Sequence, residues 1–144
     1  MAKMRILLAC VTTAVIVVSC GPRRDAAKRV LAGDSVRRIS ITGFTNGVPI
    51  ALTVSDIQSL KYITEGIRHA NDSPTFGNVF EANLTLDSGY TESVMLMIKD
   101  GGGELTFGTG SGLLKEPTWH TIRIGPDAPE WLATNVFYLS RSYK

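Results

Sequence analysis

Between Phe80 and Thr109 the chain alternates apolar and polar residues through three successive runs, with a turn signal after each of the first two. Phe80, Ala82, Leu84 and Leu86 alternate with Glu81, Asn83 and Thr85. Asp87-Ser88-Gly89 then turns the chain into Tyr90–Lys99, and Asp100-Gly101-Gly102-Gly103 turns it again into Glu104–Thr109, with Leu105 and Phe107 inward. A period of two puts alternate side chains on opposite faces, so each run predicts a strand with one buried side. Consecutive hairpins leave an antiparallel meander as the architecture. In the second run Val94, Leu96 and Ile98 take one side and Met95 and Met97 the other, a two-sided apolar pattern that predicts a central strand.

The flanking segments extend the same sheet. Val36–Thr42 carries Ile39 and Ile41 against Arg38 and Ser40, Thr45-Asn46-Gly47 supplies a hairpin turn, and Val48–Val54 returns as a second strand. Pro49 cannot donate to a ladder, which puts this pair at a sheet edge. Ser55-Asp56-Ile57-Gln58 reads as a capping box, followed by Ile57, Leu60, Ile63, Ile67 and Ala70 at helical spacing, with Arg68 and His69 in the last turn where cations suit the helix dipole. Residues 71–74 end that helix. Near the C-terminus, His120, Ile122 and Ile124 share one strand face and Trp119, Thr121 and Arg123 the other. Asp127-Ala128-Pro129-Glu130 resembles a second capping box before a helix with Leu132, Val136, Leu139 and Tyr143 on one stripe. The predicted order is ββαββββα. It implies an α+β fold, an antiparallel sheet of about five to six strands with two helices packed on it.

The chain begins with Lys3 and Arg5, an apolar run from Ile6 to Val18, and then Ser19-Cys20. A basic start, a short apolar core and a small residue at the cut site describe a secretory signal, and the run falls short of the ~20 residues of a membrane span. Val17-Val18-Ser19-Cys20 resembles the lipobox of bacterial lipoproteins. That resemblance implies removal of residues 1–19, acylation of Cys20 (palmitate among its chains) and attachment to a membrane. Leu7-Leu8-Ala9-Cys10 also fits the box, but a cut there would leave Val11–Val18 as an exposed apolar tail behind too short a signal core. Cys20 is therefore the predicted lipid attachment site. Its acylation would also leave no free thiol after the cut, since Cys10 and Cys20 are the only cysteines. Gly21 stands where an aspartate would, in Gram-negative lipoproteins, favour inner-membrane retention, so the resemblance points to the outer membrane in a Gram-negative cell.

Charge divides the remainder in two. Arg23 to Arg38 holds six basic residues against Asp25 and Asp34, whereas Ile39 to Lys144 holds seven basic against eleven acidic. Residues 20–35 read as an extended tether, whose charges keep it solvated or pair with anionic head groups, and residues 36–144 as one domain. A mildly acidic domain is no nucleic-acid footprint.

Few residues of the chain are spaced for chemistry. Gly108-Thr109-Gly110-Ser111-Gly112 lacks the sixth-position glycine and the following helix of a dinucleotide fingerprint, and reads as a loop. His69 and His120 are the only histidines, without metal-ligand spacing, and no GxSxG elbow marks a nucleophile. No cofactor or metal is expected. Trp119, Trp131 and Tyr138 are the candidate binding residues, because aromatics concentrate at interfaces, although packing in a small core accounts for them as readily. The sequence thus points to a membrane-anchored envelope lipoprotein acting as a non-catalytic binding module. Its partner would be an envelope protein, a cell-wall component or a toxin that it inhibits. An envelope hydrolase built on dispersed carboxylates is the competing class, which sequence leaves open.

Overall fold

The structure, a computed structural model, describes residues 25–69 and 73–141; Cys20 with the signal before it, and Tyr143, lie outside them. Six strands form a single antiparallel sheet: β1 (Val36–Thr45), β2 (Val48–Val54), β3 (Gly77–Leu86), β4 (Thr91–Lys99), β5 (Glu104–Thr109) and β6 (Thr118–Arg123). Their spatial order is β2-β1-β3-β4-β5-β6. The meander from β3 to β6 is as the alternation predicts, β4 is interior, and Pro49 sits on the edge strand β2, where its missing N–H costs no ladder bond. Asn46 and Gly47 both have positive φ (55° and 71°), the backbone that a two-residue hairpin turn demands and that this residue pair tolerates best.

Three helices lie on one face of the sheet: α1 (Ala26–Leu31), α2 (Ile57–His69) and α3 (Glu130–Leu139). Ile39, Ile41, Phe80, Leu84, Leu96, Ile98, Leu105 and Phe107 point to that face and meet Leu60, Ile63 and Ile67 of α2 and Leu132, Val136 and Leu139 of α3 in one core. Leu60, Ile63 and Ile67 of α2 and Leu132, Val136 and Leu139 of α3 are buried as their spacing predicts, but Ile57, expected on the same stripe, sits in the first turn of α2 at 82% exposed, and Ala70 lies outside the described residues. Their start signals differ from prediction. The side chain that caps α2 is Asp56, whose carboxylate accepts from the Ser59 N–H (3.0 Å) and hydroxyl (2.6 Å), so the cap lies one residue beyond Ser55. At α3 the N-cap is Pro129, with no side-chain cap bond, and Asp127 does not serve.

The larger correction concerns residues 25–35, read from charge as solvated tether. They contain α1, and Ala26, Ala27 and Val30 are among the most deeply buried residues of the core. Asp25 caps this helix, accepting from the Lys28 N–H at 3.3 Å. Arg68 of α2 closes its other end, donating to the carbonyls of Val30 (3.4 Å) and Asp34 (3.2 Å), besides pairing with Glu65 at 2.7 Å. The last-turn cation of α2 thus ties down the carbonyls at and just beyond the end of α1, sharing the Val30 carbonyl with the Gly33 N–H (3.1 Å). A run rich in Lys and Arg hid this because its three buried apolar residues are small or lone, while Lys28 stays exposed and Arg29 lays its guanidinium over the Tyr90 ring, 4.0 Å from the centroid.

Candidate functional site

The sheet has two unlike faces, and the one away from the helices is mostly bare. Cross-strand register puts Ala51, Thr42, Glu81, Met95, Gly108 and Trp119 in one row across all six strands, on this outer face. Around the row stand Phe44 (68% exposed), Val79 (56%) and Met95 (45%), bordering a shallow groove of about 850 Å³ with Thr42, Pro49 and Glu81. Scattered exposed apolar residues are ordinary; these three border one groove on one sheet face.

Trp119 belongs to this face for a reason visible in its partner. It lies opposite Gly108, and a Cβ placed on that glycine would stand 2.7 Å from the indole ring. The ring therefore lies close over the β5 backbone, half covered, in the row that holds Met95. Gly108 is thus a strand residue beneath an aromatic ring, the arrangement in which a large ring shields a strand glycine, and not part of a loop. One part of the outer face is closed. Residues 73–75 cross β5 and β6, where the Thr75 N–H donates to Thr106 Oγ1 at 3.0 Å, Thr121 Oγ1 donates to the Ser73 carbonyl, and the Thr106 and Thr121 hydroxyls meet at 2.8 Å.

Trp131 and Tyr138 are elsewhere. They lie on α3, on the opposite side of the sheet, 37% and 49% exposed, with Phe137 also 49% exposed between them in sequence. The structure does not bring the three candidate aromatics together: Trp119 joins the outer sheet face, and the α3 pair forms a separate surface. Phe44 and Val79 were missed in the sequence although the signal was there, since β1 and β3 alternation puts each opposite the Ile41 and Phe80 set.

Carboxylates gather at one place inside the fold. The Glu92 carboxylate accepts from the Ala26 N–H (3.4 Å) and the Gly110 N–H (3.3 Å), and Thr109 Oγ1 donates to Asp25 Oδ1 (3.1 Å) while lying 3.2 Å from His120 Nε2. Burial, reinforced by the Asp25 charge, raises the Glu92 pKa above its ordinary 4.5, against the lowering effect of the two N–H donors. The grouping of acid, hydroxyl and imidazole invites comparison with a hydrolytic triad, but its order is wrong. A hydroxyl has one proton, and here it goes to the acid rather than to the histidine, in a site where Asp25, Thr109 and His120 are all buried. The cluster fastens α1 to the ends of β4, β5 and β6.

A second concavity, a cleft of about 660 Å³, separates α2 from β6 and is lined by Tyr62, Glu65, His69, Arg123, Asp127 and Pro129, among others. Tyr62 spans it, donating to the Arg123 carbonyl at 2.8 Å. Glu65 is engaged by Arg68 (2.7 Å) and lies 3.9 Å from His69. Among the described residues, no group of three or more His, Cys, Asp or Glu is placed to hold a metal ion. Compared with known proteins, the chain matches no family model, and no curated protein or solved structure is significantly similar to it.

Proposed function

We propose that the protein is a lipid-anchored envelope lipoprotein, attached through Cys20, whose domain binds another envelope protein on the outer face of its sheet without catalysing a reaction. The observation that carries this reading is the bare row around Met95, flanked by Phe44, Val79 and Trp119, on a sheet whose opposite face carries the helices and the core. Glu81 stands exposed within the row, next to Met95, so the complementary partner surface is apolar with a Lys or Arg opposite Glu81. A toxin to be inhibited is one such partner; a cell-wall component, rich in hydroxyls, suits the patch less well. By the same resemblance that assigns the anchor, Gly21 favours the outer membrane of a Gram-negative cell.

A photo-crosslinking amino acid at Met95, compared with one at Thr134 on α3, tests the reading in intact cells. A discrete protein adduct at position 95 that is absent at 134 and lost with Glu81→Lys is the expected result. Equal adducts at both positions, or none at 95, would overturn it. The competing reading, an envelope hydrolase, draws on the α2–β6 cleft, where Glu65, His69 and Asp127 share one wall set. It requires that Asp127→Asn or Glu65→Gln abolish an activity while leaving the crosslink at 95 untouched.

A further inference from the structure

The connection between β5 and β6 ends in an unusual tip. Gly112 and Lys115 exchange backbone bonds, Gly112 N–H to Lys115 O at 3.0 Å and Lys115 N–H to Gly112 O at 3.2 Å, which closes a two-residue turn. The two residues at its corner are Leu113 and Leu114, both fully exposed. Neither leucine has a positive φ, so the backbone accepts them, but exposed turns favour polar residues and these two side chains bury nothing within the chain. They form a convex apolar point rather than a groove, a shape that suits penetration of a soft phase better than docking against a rigid one.

The position of the tip gives it a target. Gly110, three residues before Leu113, is bonded to Glu92 and is packed so closely on Asp25 that a Cβ there would lie 2.6 Å from the carboxylate. Asp25 is held in the core, and only residues 21–24 separate it from Cys20. Five fully extended residue steps span at most ~18 Å, so a lipid on Cys20 holds this end of the domain against the bilayer surface. Without α1 a long tether would have let the domain stand off; with α1 docked, the Leu113–Leu114 turn and the anchor emerge at the same end of the sheet. Lys28 and Lys115 are exposed there, with Arg23 and Arg24 adjacent in sequence, four basic groups against three acidic ones, Glu116 beside the turn and Asp25 and Glu92 at Gly110. The sum favours anionic head groups.

We infer that Leu113 and Leu114 insert into the membrane interface as a second, non-covalent contact that fixes the orientation of the domain on the bilayer. This rests on lipid attachment at Cys20. The outer sheet face is then presented sideways, along the membrane, where a neighbouring envelope protein can reach it. β1 separates this end from the β1–β2 turn by ten residues, about 33 Å.

The test uses the whole processed protein, reconstituted in vesicles of phosphatidylethanolamine and phosphatidylglycerol, with Leu114→Cys carrying an environment-sensitive fluorophore. Val48→Cys, in the distant β1–β2 hairpin, is the comparison. Since an acylated Cys20 does not react with thiol reagents, the unmutated protein should not label; if it does, attachment at Cys20 has failed, independently of the tip. With the anchor intact, the probe at 114 should shift its emission to the blue and be quenched by nitroxide-bearing lipids, with neither effect at 48, and adding Leu113→Ser should reduce the quenching. A probe at 114 that stays in water overturns the inference. So does a blue shift without lipid quenching, which would set the leucines against protein, a second copy of the chain included.

Discussion

The two faces of the sheet use similar residues to opposite ends. On the inner face, alternate positions of the strands are closed off by Leu132, Val136 and Leu139 of α3, by Ile63 and Ile67 of α2, and by Ala26, Ala27 and Val30 of α1. On the outer face, Phe44, Val79 and Met95 occupy equivalent strand positions and stay exposed, while residues 73–75 cross only the β5–β6 corner at Thr106 and Thr121. Apolar character alone does not distinguish them. The difference lies in whether the chain supplies a covering layer, and it separates residues that hold the fold from residues left over for something else.

Substitutions on the two faces should therefore have unequal consequences. The largest effect should come from removing the inner cover at its least obvious part. A chain beginning at Asp34 lacks α1, exposes the sites of Ala26, Ala27 and Val30 and strips Glu92 of its Ala26 donor. Burial of one Val contributes about 1.5–3 kcal/mol and each orphaned buried group costs about 1–3 kcal/mol, so the loss should approach the ~5–15 kcal/mol total of a small domain. Chemical denaturation should show no cooperative transition; a wild-type midpoint would mean that α1 is dispensable.

Next come the two sides of α3. Leu132→Ala and Leu139→Ala, both nearly fully buried, should each cost about 2–5 kcal/mol, whereas Trp131→Ala and Tyr138→Ala should each cost about 1 kcal/mol or less in urea titrations. Comparable losses at all four positions would merge the α3 aromatics with the core. Gly108→Ala should follow, at about 1–3 kcal/mol, because the new methyl displaces the Trp119 ring from the β5 backbone. Its signature is a red-shifted indole emission together with the destabilisation.

A smaller and pH-dependent effect belongs to Glu92. Its folded pKa is raised above the ordinary 4.5, so the native state holds this proton more tightly than the unfolded chain. The corresponding stability is fully present below pH 4.5 and declines as pH rises through the folded value. Midpoints measured across the acid range should fall with rising pH in the wild type relative to Glu92→Gln, then run parallel; parallel behaviour throughout would dissociate Glu92 from folding. Asp34 works in the other sense, its pKa lowered chiefly by the Ser88 hydroxyl at 2.5 Å, and loses its contribution as pH falls. The smallest change in stability, within about 0.5 kcal/mol, is expected for Met95→Lys on the outer face, while adduct formation from a crosslinker placed at neighbouring Val79 should be lost.

What could be read from the sequence was whatever repeats at short range. Alternation from Phe80 to Thr109 determined three strands and their antiparallel order, Asn46-Gly47 determined the first hairpin, and the 3.6 spacing of Leu132, Val136 and Leu139 determined which side of α3 is buried. Those patterns are local because backbone geometry gives each strand or helix its own period. The choice of cap at α2 was already less legible, since Ser55 and Asp56 offer the same chemistry one residue apart. Tertiary structure alone decided the rest. Asp25 meets Thr109 across 84 positions and Ala26 meets Glu92 across 66, so nothing periodic could announce that a basic stretch folds into the core. Likewise the apolar residues of both sheet faces look alike in one dimension, and only the packing of three helices on one side determined that Trp119, Met95 and Phe44 would face outward together while Trp131 and Tyr138 would not join them.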